Sequence, residues 1–316
     1  MPQQFNLRDY DLLVIGETFV EFRSSGDIAI NDTYSKDVGG ADCMVAATAA
    51  RLGSPVSYLS AIARDPFHSF LRERLLALGI NIDHVITASG YNGIYFCNAR
   101  SQQAREYLYH RPGSAAEAIT PSMIYSDLID KTKIVYASSE LQSVSKASRH
   151  AIFKAFHYAH SNDIMVAYDP NLRLERWSLD DAKEALWSVL PLLDVIFPAS
   201  PDETLAIFGY ERPLDVIGFL WDRGVDIVAV KNGPQGCMVG YNGKIEEFKV
   251  TVAADSIRDL TLAGSAFNGS FLHCIARGFD PFTAAEFANR VAQYKCQQVG
   301  GTDALPDRDT LTIAGR

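Results

Sequence analysis

Short apolar runs alternate with amphipathic segments along most of the chain. An apolar run bounded by polar residues or glycine is typical of a buried parallel strand, and apolar positions three or four apart are typical of a helix. The predicted strands are 12–16, 55–62, 134–137, 165–169, 195–198 and 227–231, and a hairpin is predicted over 236–248. The predicted helices are 42–52, 67–78, 146–161, 179–190 and 214–223, followed by two helices that run to residue 300. This alternation predicts an α/β fold with a mostly parallel central sheet and helices on both faces.

Two segments, at about 17–38 and 90–113, interrupt this alternation. Both are polar and loosely alternating, and the runs 94–99 and 106–110 flank a polar turn, which is a hairpin signal. These segments are too polar for central strands, so we expect them to form a small β-sheet lid. No internal repeat or low-complexity linker divides the chain, and we expect a single α/β domain over residues 1–316.

Composition and charge exclude several classes of partner. The chain has 29 basic and 38 acidic residues, a net charge of −9, and no basic run. We therefore expect neither nucleic acid nor an anionic membrane as a partner. No apolar run approaches the roughly 20 residues of a membrane span, and the first residues do not resemble a signal peptide. The five cysteines are scattered without metal or redox spacing, so we expect them to be buried thiols in a cytoplasmic protein.

The stretch 259–278 carries the strongest chemical signal. The small-residue turn Ala263-Gly264-Ser265 opens directly into an amphipathic helical run that ends near Gly278. Free N–H groups and the helix dipole favour an anion at such a helix start, so a phosphate could bind there. An ordinary strand-to-helix turn is the alternative.

This stretch resembles the C-terminal signature of the ribokinase (PfkB) family of sugar kinases, D-T-x-G-A-G-D-x-F. The matching residues are Asp259, Ala263, Gly264, Phe267, Asn268 and Gly269. Other segments resemble the pattern of 2-keto-3-deoxygluconate kinases, namely Gly16-Glu17, the V-G-G-A motif at 38–41, R-x-G-S-A at 111–115, D-x-N-x-R…W at 169–177, S-x-x-E at 200–203 and K-x-G-x-x-G at 231–236. The resemblance covers roughly residues 11–306. It implies a ribokinase-like three-layer sandwich with a β lid, and ATP- and Mg²⁺-dependent phosphorylation of a sugar or keto-sugar acid.

The resemblance also implies roles for individual residues. It implies substrate contacts at Glu21, Gly39, Gly40, Met44, Tyr95, Tyr109, Arg111, Asp169 and Arg173. It implies an anion hole at Leu262, Ala263 and Gly264, nucleotide contacts at Lys231, Gly233, Gly236 and Asn289, and water-mediated Mg²⁺ binding at Glu203. It also suggests a homodimer that pairs through the β lid.

Residue chemistry leaves alternatives open at several of these positions. A guanidinium binds a carboxylate through two parallel hydrogen bonds, which suits Arg111 and Arg173 to a sugar acid. Both could instead be structural or surface arginines. One of Tyr95 and Tyr109 could be a core residue. Glu203 could be a helix N-terminal acid favoured by the dipole.

The chain departs from the family pattern at the chemistry itself. Ser265 stands where the family has its catalytic aspartate, and its hydroxyl cannot act as a general base near neutral pH. Leu262 replaces a glycine of the anion hole, Met44 replaces a sugar-binding asparagine, and Ser60 and Ala63 replace two glycines of another loop. The expected activity is therefore weak or lost. We expect Ser265→Asp alone to restore little because Leu262 obstructs the phosphate, and Leu262→Gly to cost stability.

Two function classes follow, a sugar kinase and a pseudokinase that binds a ligand or a partner. A distant acid could also supply the base. A nucleotide-dependent oxidoreductase is disfavoured because no G-x-G-x-x-G follows the first strand.

Overall fold

A computed structural model of the chain describes residues 8–98 and 107–313. The strands are β1 (Tyr10–Ile15), β2 (Phe19–Ser24), β3 (Tyr34–Gly39), β4 (Val56–Ala63), β5 (Ile80–Asn81), β6 (Val85–Ala88), β7 (Gly93–Asn98), β8 (Tyr107–His110), β9 (Thr132–Ser138), β10 (Met165–Asp169), β11 (Val195–Ile196), β12 (Ile227–Lys231), β13 (Cys237–Tyr241) and β14 (Lys244–Phe248). The helices are α1 (Ala41–Arg51), α2 (His68–Ala77), α3 (Ser126–Asp130), α4 (Ser139–Gln142), α5 (Lys146–Ser161), α6 (Leu179–Val189), α7 (Asp202–Phe208), α8 (Pro213–Trp221), α9 (Ala263–Ala276) and α10 (Pro281–Cys296).

The central sheet has ten strands within these residues. Its order is β14-β13-β12-β11-β10-β9-β1-β4-β5, with β6 also beside β4. Neighbours from β12 to β5 are parallel, and β13 and β14 add an antiparallel hairpin at one edge. One apolar core packs this sheet against α1, α2, α9 and α10, and a second packs its other face against α3, α5, α6 and α8. The predicted α/β class, with helices on both faces, is confirmed.

The second sheet is the lid. Its order is β3-β2-β7-β8, with β2 parallel to β7 and the outer pairs antiparallel. The predicted small second sheet is confirmed, while the predicted hairpin turn, with Ala99 and Glu106, lies outside the described residues. β2 is less exposed than its polar sequence indicates, because it is an inner strand and its side chains meet the body of the protein.

Helices α1 and α9 run side by side in the same direction. A Cβ added to Gly269 would lie 2.6 Å from the Val45 carbonyl oxygen, so the two backbones are in close contact. Asn268 on α9 reaches Asp169 at the end of β10, while His273 reaches Ser54, just before β4. Both helices therefore begin at the edge where the parallel strands end, which is the usual ligand-binding edge of an α/β sheet.

The cysteines and the membrane prediction can be compared directly with the structure. All five cysteines are buried, and no disulfide joins them. Among the described helices, none combines the length and the apolar character that crossing a bilayer requires.

Candidate active site

Two glutamates and an arginine form the floor beneath the lid. Glu17 follows β1, and Glu140 follows β9. Arg111 is 8% exposed and donates from Nε to Glu17 Oε2 at 2.6 Å, from Nη1 to Ser143 Oγ at 2.8 Å and from Nη2 to the Glu140 carbonyl oxygen at 2.5 Å. Protein groups thus engage all three of its nitrogens, and Arg111 joins the ends of two strands.

Arg176 is a second buried arginine on this floor. Its Nη1 donates to Glu140 Oε1 at 2.8 Å, and its guanidinium stacks 4.0 Å from the centre of the Tyr109 ring. Burial opposes ionisation of Glu140, but the Arg176 and Arg111 guanidiniums hold its pKa below the usual value. Nε and Nη2 of Arg176 are buried without a hydrogen-bond partner.

The lid contributes aromatic rings. Tyr95 is 2% exposed and donates its hydroxyl to Glu21, which pairs with Arg23 at 2.6 Å. A Cβ on Gly39 would lie 2.3 Å from the Tyr95 oxygen, so glycine lets the ring approach the strand before α1. Tyr109 is half-buried and packs against Tyr95, with ring centres 5.5 Å apart. Both tyrosines face the body of the protein.

Arg173 lies beside these rings and is half-buried. Its guanidinium lies 5.8 Å from the centre of the Tyr107 ring. Within the described parts of the chain it makes no hydrogen bond or ion pair. A cation without an acidic partner beside the lid can accept an anionic group.

Asp42, in the first turn of α1, is fully buried. Neither of its carboxyl oxygens has a hydrogen-bond partner, and it packs directly against Gly16 at the end of β1. Burial, reinforced by the Glu140 carboxylate, raises the pKa of Asp42 well above its ordinary value.

Asp169 anchors the next part of the edge. Its Oδ2 accepts hydrogen bonds from Lys231 Nζ at 2.7 Å and from Asn268 Nδ2 at 2.6 Å. The Lys231 amine lies 3.6 Å from the position of a Cβ on Gly264, so it adjoins the turn before α9. A cation thus faces the turn where the sequence predicts phosphate binding.

The turn 262–265, where the sequence predicts an anion hole, leads directly into α9. Leu262 is the residue before α9 and adopts a left-handed conformation with φ of 58°, which glycine adopts more easily. Its half-buried side chain packs against the main core. Ala263 and Gly264 are partly exposed, and the Ser265 side chain makes no hydrogen bond within the described residues. Met44 is 1% exposed and lies in the apolar core.

The predicted nucleotide residues lie along the β12–β13 turn and α10. Gly236 has φ of 96°, and an added Cβ would lie 1.9 Å from the Phe248 carbonyl oxygen, so only glycine fits. Gly233 also has a positive φ. Asn289 donates to the carbonyl oxygens of Phe248 and Lys249, which fixes the exit of β14.

Glu203, in the first turn of α7, stabilises two neighbouring backbone segments. Its two oxygens accept backbone N–H groups of Leu172 and Ala199 at 2.7 and 2.8 Å. Burial and the Asp169 carboxylate raise the pKa of Glu203 to about 7. No group of three potential metal ligands occurs in residues 8–98 and 107–313. The carboxylate oxygens of Glu203 suit Mg²⁺ binding through water rather than by direct coordination.

Sequence reasoning missed several polar residues of this edge. Glu17 belongs to a family motif but has no predicted role in the site, and no role is predicted for Asp42, Glu140 or Arg176. A signal was present, because Glu140 comes directly after a buried strand and Arg176 lies inside the D-x-N-x-R…W motif. Asp42 interrupts an otherwise small and apolar helix.

The comparisons with known proteins identify the family of the chain. The family model described as "pfkB family carbohydrate kinase" matches residues 10–308, and the chain belongs to this family. The chain is 29% identical over 310 residues to an ATP-dependent 6-phosphofructokinase of Thermoanaerobacterium thermosaccharolyticum, covering 97% of this chain and 94% of the relative. It is 26% identical to a 2-dehydro-3-deoxygluconokinase of Thermoproteus tenax, covering 93% and 91%.

A solved structure extends the likeness to the fold. A putative ribokinase II of E. coli in complex with ATP and Mg²⁺ superposes with a TM-score of 0.85 at 22% identity, covering 94% of this chain and 96% of that chain. The ribokinase-like fold expected from the sequence is thereby confirmed.

Proposed function

We propose that the protein binds a sugar or keto-sugar acid together with ATP and Mg²⁺, and that it transfers the phosphoryl group weakly or not at all. Family membership supports the substrate class, and the buried polar groups beneath the lid support a sugar site. Lys231 beside Gly264 supports a phosphate at the start of α9.

Within this proposal the chain's own residues orient the reactants. The lid tyrosines cover the acceptor sugar and exclude water, and the arginines of the floor fix its polar groups. The N–H groups at the start of α9 and the Lys231 amine stabilise negative charge on the transferred group. ATP would supply the phosphoryl group, and Mg²⁺ would offset its charge.

Ser265 is the observation that carries the loss of activity. It lies in the first turn of α9, one residue after Gly264, at the position of the family's catalytic base. A protonated hydroxyl cannot take the proton of the acceptor. The absence of a general base typically costs about 10²- to 10⁴-fold in rate.

The test measures turnover and binding on the same protein. ADP release is followed with Mg-ATP and 2-keto-3-deoxygluconate, fructose or ribose, and thermal shifts are recorded with each sugar and with ATP. We expect a raised melting temperature with ATP and with one sugar. Turnover should stay below the range of about 1–100 s⁻¹ that is typical of kinases. Turnover within that range would refute the proposed loss of activity.

A pseudokinase is the second candidate. Leucine at 262 is the observation that favours it, because a second position of the anion hole has lost the family residue while the backbone keeps its left-handed shape. On this reading the chain binds its sugar and signals through a partner. Retained sugar binding without any ATP-dependent thermal shift would favour the pseudokinase over the weak kinase.

The outer face of the lid supports a homodimer. Ile28, Tyr34, Phe96 and Leu108 line a shallow groove there, and Leu108 is 50% exposed. Pairing of two lids would cover these side chains. Sedimentation of the wild type and of Leu108→Asp tests this, and a monomeric wild type would contradict it. The buried cysteines, which form no disulfide, fit a reducing, cytoplasmic location.

A further inference from the structure

Buried polar atoms without a partner gather beneath the lid. Among the described residues, most such atoms belong to four side chains that approach Glu140 or Asp169, namely Asp42, Asn171, Arg176 and Asn268. Folded proteins rarely leave buried donors and acceptors unpaired, because the lost hydration is not repaid. Their concentration at the edge where the strands end points to a ligand that completes them.

Arg176 is the most informative of the four. Its side chain is 4% exposed. The Tyr109 ring lies 4.0 Å from its guanidinium carbon, the Phe19 ring lies 5.5 Å away, and Nη1 is bonded to Glu140. Within residues 8–98 and 107–313, Nε and Nη2 are the two nitrogens of this guanidinium that have no hydrogen-bond partner. This edge presents two parallel N–H donors.

We propose that the Nε–Nη2 edge of Arg176 binds an oxyanion of the acceptor, a carboxylate or a phosphate ester, through two parallel hydrogen bonds. The proposal rests on the proposed sugar-binding function and names the residue that selects the substrate. Two oxygens on one carbon or phosphorus atom match the spacing of these donors, whereas a single hydroxyl satisfies one of them.

The neighbouring arginines support this assignment. The sequence predicts oxyanion binding by Arg111 and Arg173, but Arg111 already donates from all three nitrogens to protein groups. Arg111 is balanced by Glu17, and Arg176 is balanced by Glu140. Arg173 has no acidic partner in the described chain, so it leaves one positive charge to be neutralised. A singly or doubly charged sugar supplies that counter-charge.

Binding is measured by calorimetry without ATP, so the result does not depend on turnover. The probes are 2-keto-3-deoxygluconate with a carboxylate, fructose 6-phosphate with a phosphate ester, and neutral fructose. The variants are Arg176→Lys, which keeps the charge but loses the paired donors, and Arg176→Gln. Arg212→Gln removes an exposed arginine and is the matched control.

We expect wild type to bind one oxyanion sugar at least about 10-fold more tightly than fructose, and Arg176→Lys to weaken that binding about 10- to 100-fold. Comparing the affinities for 2-keto-3-deoxygluconate and fructose 6-phosphate shows whether the site prefers a carboxylate or a phosphate ester. The affinity for fructose should be the same in Arg176→Lys as in wild type. Arg212→Gln should bind every probe as wild type does.

Three outcomes overturn the assignment. These are wild-type binding of fructose as tight as that of both oxyanions, no binding of any probe, and equal weakening of all probes in Arg176→Lys. If an Arg176 variant does not fold, the affinities of the wild type for the three probes still test the proposal. Binding of fructose as tight as that of both oxyanions would contradict it. Loss of oxyanion binding in Arg176→Lys without turnover in the wild type would support this subsite while refuting kinase activity.

Discussion

Arg23 on lid strand β2 donates to Asp259 at 2.6 Å, although the two residues are 236 positions apart. The buried Lys295 amine on α10 lies 3.5 Å from the same carboxylate, and Thr261 donates to its other oxygen. Asp259 therefore connects the lid, α10 and the loop that leads to the Ser265 turn. Its match to the family signature has a structural explanation that is independent of catalysis.

Asp259→Asn should lower the free energy of unfolding by about 3–5 kcal/mol, because it leaves the buried Lys295 amine without a counter-charge and Arg23 with Glu21 alone. Asp215→Asn, which breaks the exposed pair with Arg212, should have little effect on stability. Urea unfolding of both variants checks the contrast. Similar small losses would mean that the buried network contributes little.

His273 predicts a specific pH dependence of stability. It is buried on α9 and hydrogen-bonds Ser54 at 2.9 Å, and burial together with Arg277 lowers its pKa to about 4. Between its unfolded pKa of about 6.5 and this folded value, only the unfolded chain binds the proton. Stability supplied by the neutral ring is complete above pH 6.5 and decreases as the pH falls towards 4, by up to about 3 kcal/mol.

Urea unfolding at pH 7 and pH 5 measures this effect. His273→Gln should show a smaller loss between the two pH values than wild type does. His150→Gln, at an exposed position of α5, should retain the wild-type loss. An unchanged loss in His273→Gln would show that other groups cause the dependence.

Local patterns predicted most of the fold. The runs 12–16 and 146–161, for example, correspond closely to β1 and α5, because their periodicity directly reflects which residues face the core. The exposure expected for the segment after β1 was wrong. Polar residues such as Glu21 and Arg23 are buried there because each is paired, and pairing is not visible in periodicity.

The site was predictable only where a family motif marked it. The motifs led to Arg111 and Arg173, but not to the difference between an arginine with all its nitrogens engaged and one without a partner. That difference arises from contacts between distant segments, such as Glu140 with the Ala41 N–H group, 99 residues apart. Leu262 illustrates the same limit, since its left-handed φ follows from the turn and not from leucine's own preference.

Asp42→Asn should stabilise the protein while impairing its ligand site. The folded state raises the pKa of Asp42, so stability decreases as the pH rises above the ordinary range of an aspartate. Removing the ionisable group should therefore raise the free energy of unfolding by about 1–3 kcal/mol at pH 8, the cost of an unpaired buried group, and by less at pH 5.

Urea unfolding at the two pH values, with exposed Asp255→Asn as the control, checks this expectation. A loss of stability at pH 8 would mean that the Asp42 carboxylate is ionised and has a cationic partner. Sugar binding should weaken in the same variant, because the amide of asparagine offers one acceptor oxygen where the Asp42 carboxyl group offers two.

Leu262→Gly should leave stability nearly unchanged, which corrects the cost expected from the sequence. Relief of the left-handed leucine, about 1–2 kcal/mol, offsets the larger entropy of unfolded glycine, about 0.5–1 kcal/mol, and some lost packing. Leu205→Gly, at a more exposed position inside α7, lacks that relief and should cost about 1 kcal/mol or more. Equal losses in the two variants would show that Leu262 is not strained.

Ser265→Asp tests whether the missing base limits turnover. The sequence suggested that Leu262 would obstruct the phosphate, but its side chain packs against the core and its backbone already has the shape that a glycine would give. A carboxylate in the first turn of α9 is also favoured by the helix dipole. The single variant should therefore raise kcat about 10²-fold or more, and adding Leu262→Gly should change it little. Ser265→Asn, of the same size but without a base, is the matched control. Equal activity of the Asp and Asn variants, or none in either, would mean that phosphoryl transfer is limited by something other than the lost base.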